Sequence, residues 1–266
     1  LKEAFTLAQR LATEAGQEAL GYFRQAERLK TEYKSDASPV TQADREIERF
    51  LRAEIQKHYP DHQVLGEEFG AGSQHSDYQW ILDPIDGTRS FAHGIPVFGV
   101  QIALTYQKEP ILGVIHLPAL QEHIAAAEGM GCFWNGERAQ VSQETRHERV
   151  LAHVHERDLA RERAPALKDW LSQVENERNW GDCYSFVLAA TGRIEVAMDP
   201  RMQVWDSAPL PILMREAGGV FFDWQGHETI WSGSVVCTTP HWAPVLRKCL
   251  EKPETLGRLN KLNPTS

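Results

Sequence analysis

No run of 18 apolar residues occurs in this chain, so no helix is expected to cross a membrane. The N-terminus lacks a basic-then-apolar signal pattern, so secretion is not expected and the cytoplasm is the default location; the start at Leu1 without Met is consistent with processing. Basic residues are in deficit. With 28 Lys and Arg against 37 Asp and Glu the net charge is −9, the wrong sign for a surface that tracks a phosphate backbone. Neither nucleic acid nor membrane is an expected partner. Cysteines are few and scattered: Cys132, Cys183, Cys237 and Cys249 form no CxxC pair and no zinc-ligand spacing, so reduced structural thiols are expected. The 11 His include no HExxH. His153 and His155 alternate, which on a strand places both rings on one face where they could bind metal, but a solvated strand edge is the expectation. There is no repeat and no low-complexity tract.

What is present organises around Trp80 to Pro96, WILDPIDGTRSFAHGIP. An apolar run reads as the end of a buried strand and stops at Asp83 and Asp86. Pro84 fixes φ and withholds an N–H, so a rigid turn is expected to leave the strand there. Gly87 permits a tight path, and Thr88 can open a helix. Two hard oxygen ligands on a stiff turn can share or divide cations of the Mg²⁺ type, while free N–H groups at the helix start face an anion. Asp before Pro and Asp before Gly are also ordinary turn residues, so the motif alone leaves both readings open.

With 266 residues and 42% hydrophobic content, the chain can bury a substantial core as one large domain or two intimate halves. Residues 1 to about 27 predict an amphipathic helix with Phe5, Ala8, Ala12, Ala15, Ala19 and Phe23 on one stripe. Residues 33–40 predict a hairpin or loop. Thr41 to Asp44 reads as a capping box opening a second helix near residue 42. A short strand should end at Gly66-Glu67-Glu68, with the two acids on opposite sides, so that Glu68 is the weaker ligand candidate. Residues 71–77 read as a polar loop. Gly99 to Tyr106 and Ile111 to His116 predict an antiparallel hairpin; Ile124 to Ala127 and Cys132 to Trp134 predict another pair, closed by Asn135-Gly136. Residues 142–149, SQETRHER, mark the expected boundary between halves.

The second half alternates. Strands are expected at 150–154, 194–198, 220–223 and 235–238, and helices at 165–174, 182–191, 207–217 and 241–250, which implies a sheet flanked by helices. Pro209 and Pro211 must then sit early in their helix, and Asp206 takes its N-cap. Residues from Lys252 are expected to be polar and frayed.

Gly66-Glu67-Glu68, the Asp83 to Thr88 stretch, and Trp205-Asp206 followed by Glu216-Ala217-Gly218-Gly219 stand in the order GEE, DPIDGT, WDxA…EAGG. Over nearly its whole length the chain thereby resembles the inositol monophosphatase family of Mg²⁺-dependent, lithium-sensitive phosphatases. The resemblance implies an α/β (α+β) fold, the layered α-β-α-β-α sandwich of the inositol monophosphatase and fructose-1,6-bisphosphatase type. Residues 1–142 would carry GEE and DPIDGT, and residues 143–266 WDSA and EAGG, in one compact unit. It implies two or three Mg²⁺ per site: Asp83 bridging two ions, Glu67 and the Ile85 carbonyl completing one, Asp86 with Asp206 completing the other. Oxygen-only ligands suit that ion. A phosphate monoester would be hydrolysed by direct in-line attack of water, with Asp44, Glu67 and Thr88 as catalytic residues and no covalent phosphoenzyme. The Gly87 and Thr88 amides would hold phosphate oxygens. Bound cations would also reverse the sign of an acidic site, reconciling the net charge with an anionic substrate. Members are commonly homodimers, which the resemblance suggests here.

Beyond the shared motifs the chain looks most like the histidinol-phosphatase branch, in SPVTQAD, DPIDGTRSF, Gly181-Asp182-Cys183-Tyr184, and Asp199-Pro200, whose Asp lies seven residues before Asp206. In inositol monophosphatases that position is usually a Glu contacting ring hydroxyls. A shorter Asp199 leaves room for a larger leaving group and can pair with the primary ammonium of histidinol phosphate. Gly181, Asp182, Cys183 and Asp199 join Asp86, Gly87, Thr88 and Asp206 as substrate-binding candidates; Asp182 could assist the same cation or the imidazole, or serve only as an N-cap. The alternatives are inositol 1-phosphate and, with no added basic cluster to favour it, 3′-phosphoadenosine 5′-phosphate. From another class comes a non-catalytic metal- or phosphometabolite-binding regulator, which would be expected to lose a carboxylate; Glu67, Asp83, Asp86 and Asp206 are all present.

Overall fold

The small apolar stripe at the N-terminus folds as its spacing predicts. In the computed structural model, which describes residues 1–25, 31–33, 39–72 and 75–251, α1 (Lys2–Tyr22) buries Phe5, Ala8, Ala12, Ala15 and Ala19. The helix stops short of residue 27: Phe23 turns extended and lays its ring against Phe91 and Phe98. β1 (Thr31–Tyr33) and β2 (Pro39–Thr41) pair antiparallel, as the hairpin reading requires, with residues 34–38 outside the described residues. Thr41 then opens α2 (Gln42–His58), and Asp44 Oδ2 accepts the Thr41 N–H at 2.8 Å and its hydroxyl at 2.5 Å. Part of the 71–77 loop and the tail from Lys252 also lie outside the described residues.

The chain continues through β3 (Gln63–Gly66), β4 (Gly70–Ala71), β5 (Tyr78–Asp86), α3 (Thr88–Ala92), β6 (Gly99–Tyr106), β7 (Glu109–Leu117), β8 (Glu122–Ala127), β9 (Gly131–Trp134) and β10 (Glu137–Arg138). Together they form an eight-stranded sheet, β10-β9-β8-β7-β6-β5-β3-β4. There follow β11 (Leu151–Val154), α4 (Arg157–Arg163), α5 (Pro165–Leu171), β12 (Asn176–Arg178), α6 (Asp182–Ala190), β13 (Val196–Asp199), α7 (Val204–Ser207), α8 (Leu210–Glu216), β14 (Val220–Phe222), β15 (Val235–Thr238) and α9 (Ala243–Leu250). These give a second sheet, β12-β11-β13-β15-β14.

Strand alternation sorts the apolar residues into three cores. Trp80, Leu82, Ile102 and Val114 face α1 and α2, while Ile81, Ala103 and Ile115 face α6 and α8. That middle core also takes Ala197, Phe221 and Cys237 from the second sheet. The far face of the second sheet, with Ala152, Val196 and Val236, packs on α4, α5 and α9. The layers therefore run α-β-α-β-α, as the resemblance implied. No helix among the described residues is long and apolar enough to cross a membrane.

Local expectations fail where tertiary context overrules them. The strand does not end at Leu82: β5 continues to Asp86, which pairs with Gly99 across a register shift. Pro84 lies in that irregularity, where a missing N–H breaks no regular ladder bond. Asn135-Gly136 joins β9 to β10, and the β8–β9 connection is residues 128–130. The expected 207–217 helix is two short ones, α7 and α8. Pro209 is the N-cap of α8 and Pro211 lies in its first turn, so both sit early, as expected, but in a helix that starts at Leu210 and not at Ser207. Asp206 is consequently the third residue of α7, whose N-cap is Gln203.

The break also seats Pro209 on Gly113 of β7. A Cβ added at Gly113 would lie 2.6 Å from Pro209 O and 2.8 Å from its Cα, both backbone atoms that cannot swing aside. Gly113→Ala is expected to lower stability by about 1–3 kcal/mol, read as the midpoint of chemical denaturation. Gly21→Ala, with no atom in reach, should change it by about +0.4–1 kcal/mol. Equal effects would mean that the Pro209 contact does not hold α8 on the sheet.

Candidate active site

Three acids meet above the irregular end of β5. Asp83, Asp86 and Asp206 each offer a carboxylate oxygen within 4.8 Å of the other two. Asp83 is 1% exposed, and its Oδ1 has no hydrogen-bond partner. Burial first, then the charges of Glu67, Asp86 and Asp206, hold its carboxyl well above the usual range. Asp86 is raised by burial and by Asp182 and Asp206, against the Cys183 N–H that donates to its Oδ2 at 2.6 Å. Burial pushes Asp206 up to about 6. Like charges so close and so dry favour capture of a positive ion, and the donor set is entirely oxygen. A hard divalent cation suits these residues, with the orphaned Asp83 oxygen as its most available ligand atom.

The remaining candidates surround this cluster in different ways. Glu67 stands outside the set of mutually close oxygens but acts on Asp83 through its charge. Ile85 is fully buried, and its carbonyl lies 2.9 Å from Thr88 Oγ1. That hydroxyl is also 3.1 Å from Asp44 Oδ1, so its single proton serves one acceptor at a time. Burial raises Asp44 to about 6 despite the Thr41 hydrogen bonds, which pull the other way. Gly87 adopts φ 79° at the start of α3, a conformation costly for other residues, and an added Cβ would crowd Asp182 Oδ2 at 2.7 Å. Asp182 Oδ2 accepts from Ser90 Oγ at 3.1 Å. Cys183 is 1% exposed, so it supports Asp86 from beneath and offers the cleft no side-chain surface. Gly181 supplies the φ 83° needed to enter α6.

A second group lies where β11 and β13 end side by side. Val154 pairs with Met198 in parallel register, so the next residues, His155 and Asp199, are neighbours, and the His155 N–H donates to Met198 O at 2.9 Å. Asp199 Oδ1 accepts the Arg201 N–H at 2.8 Å. Burial raises its carboxyl to about 6, with His155 opposing that shift. His155 acts on Asp182 in the same sense. Arg201 pairs in turn with Glu156.

The solvated-edge reading of His153 is overturned. β11 is flanked by β12 and β13, and His153 is 1% exposed, with Nδ1 3.0 Å from Ser185 Oγ. Burial drives its pKa down to about 3, so the ring is neutral. Glu48 is a contributor that sequence reasoning missed, and His155, expected at a solvated strand edge, instead acts on Asp182 and Asp199. Glu48, fully buried, accepts the Glu68 N–H at 2.7 Å and the Phe69 N–H at 3.2 Å and pairs with Arg52 at 2.7 Å. It thus ties the Glu67 loop to α2. A Cβ on Gly66 would strike this carboxylate. The signal was available only as an acid four residues after Asp44 on the apolar side of α2.

A sequence profile described as the inositol monophosphatase family matches residues 1–253. A histidinol-phosphatase of Chlorobaculum parvum is 40% identical over 231 residues, covering 85% of this chain and 88% of that protein. An inositol-1-monophosphatase of Rhizobium meliloti is 32% identical over 247 residues, covering 90% and 92%. Among solved structures, the extragenic suppressor protein suhB from Bartonella henselae matches with a TM-score of 0.87 and 29% identity, over 94% of this chain and 99% of that one.

The raised carboxyls fix the sign of a pH effect. Asp206 titrates near 6 in the fold against an ordinary 3.8, so the native state binds more protons, and stability falls as pH rises through that window. A divalent cation favours the ionised form and reverses this loss. The rise in melting temperature on adding Mg²⁺ should therefore be small at pH 5 and about twofold larger or more at pH 7.5. His153 titrates in the opposite sense with or without the ion and cancels in the difference. A pH-independent rise would contradict cation capture by these acids.

Proposed function

The chain belongs to the inositol monophosphatase family of metal-dependent phosphoric monoester hydrolases, and from that premise we propose that it hydrolyses histidinol phosphate to histidinol and inorganic phosphate. The observation that carries the hydrolase chemistry is the meeting of Asp83, Asp86 and Asp206 within 4.8 Å. In this reading Glu67, Asp83, Asp86, Asp206 and the Ile85 carbonyl hold two or three Mg²⁺. When bound, those ions supply an acidified water for in-line attack on phosphorus and positive charge for the departing alkoxide.

The chain's own groups orient the reactants. The Thr88 hydroxyl donates a hydrogen bond to Asp44 Oδ1 or Ile85 O, which leaves an oxygen lone pair to accept a hydrogen bond from the attacking water. Asp44, fixed by two hydrogen bonds from Thr41, holds Thr88 in that orientation. The amides of Gly87 and Thr88 open a helix whose first turn has no internal acceptors for them, and they bind the phosphate oxygens. Asp199 takes the substrate ammonium, with Gly181 and Asp182 shaping the same side of the cleft. A nearly dry carboxylate beside His155 is a strong receptor for a cationic leaving group. The C. parvum relative, named for histidinol phosphate, supports this choice of ester. The R. meliloti relative makes inositol 1-phosphate the competing substrate.

Two measurements test the reading. Asp83→Asn should lower turnover by about 100-fold or more while the metal-free protein melts no lower than wild type, since one repelled buried charge is gone. Near-normal phosphatase rates in that variant would contradict the assignment. Phosphate release from histidinol phosphate and from inositol 1-phosphate, compared at equal Mg²⁺, should favour the former in kcat/KM. Asp199→Asn should erode that preference by about 10-fold or more. A large preference for the inositol ester would sink the substrate assignment and leave the hydrolase standing.

A further inference from the structure

The face of β6 that looks toward the carboxylates carries a polar side chain that the chemistry above does not use. Gln101 is 1% exposed, and neither its Oε1 nor its Nε2 has a hydrogen-bond partner. It stands opposite Asp83 in the β5–β6 ladder, so the two side chains leave the sheet on one face with Cβ atoms about 4.5–5.5 Å apart. Asp83 shares the deficiency, since its Oδ1 is also unpartnered. The positions around Gln101 on that face are roofed. Gly99, two residues before it, lies under Cys183 Sγ, and Gly113, which pairs with Ala103, lies under Pro209. The starts of α6 and α8 thus cover the sheet on either side and leave the amide between them, at the base of the Asp83, Asp86 and Asp206 cluster.

An amide offers two donors and two acceptors, and leaving all four unused in a core is costly. Leucine or methionine would fill the position without that cost. From this juxtaposition we infer that Gln101 is a positioning residue of the metal centre, its Nε2 donating through one buried water to Asp83 Oδ1 and so fixing the orientation of that carboxylate. A polar pocket with two or more convergent groups is where an ordered buried water is held. Groups bonded to a ligating carboxylate set its orientation and with it the affinity of the ion. The inference rests on the reading of Asp83 as a ligand. Gln101 touches neither substrate nor reacting atoms.

Binding of Mn²⁺, followed by loss of the free-ion electron paramagnetic resonance signal, is compared between wild type and Gln101→Met, together with the melting temperature of each metal-free protein. The expected result is Mn²⁺ affinity weakened about 10- to 100-fold with a melting temperature unchanged or raised. A raised melting temperature with unchanged affinity would mark Gln101 as a tolerated core residue and overturn the inference. A wild-type protein that binds no Mn²⁺ overturns the ligand reading and this inference together, whereas normal binding in both proteins removes this inference alone. Should the methionine variant fail to fold, a high-resolution crystal structure of the Mn²⁺-loaded wild type decides. Solvent within hydrogen-bonding distance of both Gln101 Nε2 and Asp83 Oδ1 supports the role, and an amide bonded elsewhere refutes it.

Discussion

Mutual repulsion among Asp83, Asp86 and Asp206 is the constraint the rest of the molecule answers to. When ionised, carboxylates within 4.8 Å in a buried or half-buried place repel one another, so the backbone must keep them together. The irregular end of β5 supplies two of them on one strand, and α7 brings the third. α7 in turn is located by the turn into α8, whose Pro209 rests on the bare backbone of Gly113. Sheet, glycine, proline and acid form one chain of contacts, so the five-layer fold is the means by which unwilling charges are kept together.

Three other acids, Glu48 and Glu195 buried and Glu216 half-buried, show what an acid looks like when its task is structural. Glu48 accepts amides from Glu68 and Phe69, Glu216 accepts those of Gly129 and Gly131, and Glu195 accepts Leu151 N–H and Ser142 Oγ. Their oxygens are committed to holding loops and strands. In the cluster, Asp83 keeps one oxygen unbonded, while Asp86 is met by the Cys183 amide and Asp206 by the Gln203 amide. Among the described residues, the buried carboxylate oxygens without a hydrogen-bond partner are those of Asp83 and Glu177, and Glu177 has Arg157 and Arg161 beside it, which leaves Asp83 as the uncommitted acid. The same criterion applied to amides is what isolates Gln101.

Much of this was legible in the chain because local chemistry and tertiary outcome agree. The α1 stripe, the Thr41–Asp44 cap and the β6–β7 hairpin follow from periodicity and turn residues. What was not legible depended on neighbours distant in sequence. β12 is three polar residues, Asn176–Arg178, with no strand signature; unrecognised, it left β11 looking like an edge and His153 looking solvated. The Asn135-Gly136 turn was a sound hairpin signal attached to the wrong pair, because the two-residue β10 was too short to register. Glu48 reads as one more charge on an amphipathic helix until the GEE loop folds back onto it. Glu67 and Asp206 stood out as candidates only through the family motifs, since each acid taken alone is an ordinary turn or helix-start residue.

On the proposed function, the arrangement also separates hydrolysis from the choice of ester. Asp83, Asp86, Gly87 and Thr88 belong to the first sheet and the turn that leaves it. His155 and Asp199 follow the adjacent parallel ends of β11 and β13 in the second sheet, and Asp182 opens α6 between the layers. The segment from the end of β13 through α7 carries Asp199 and then Asp206, so one short stretch delivers both the proposed leaving-group contact and a cluster acid. Because Asp206 is pinned by the Pro209–Gly113 contact while Asp199 sits at a strand end, residues around Asp199 can change with little effect on the carboxylate cluster. On the proposed function, substrate choice would then lie with the loops of the second sheet, read against a carboxylate cluster that β5 and α7 hold together.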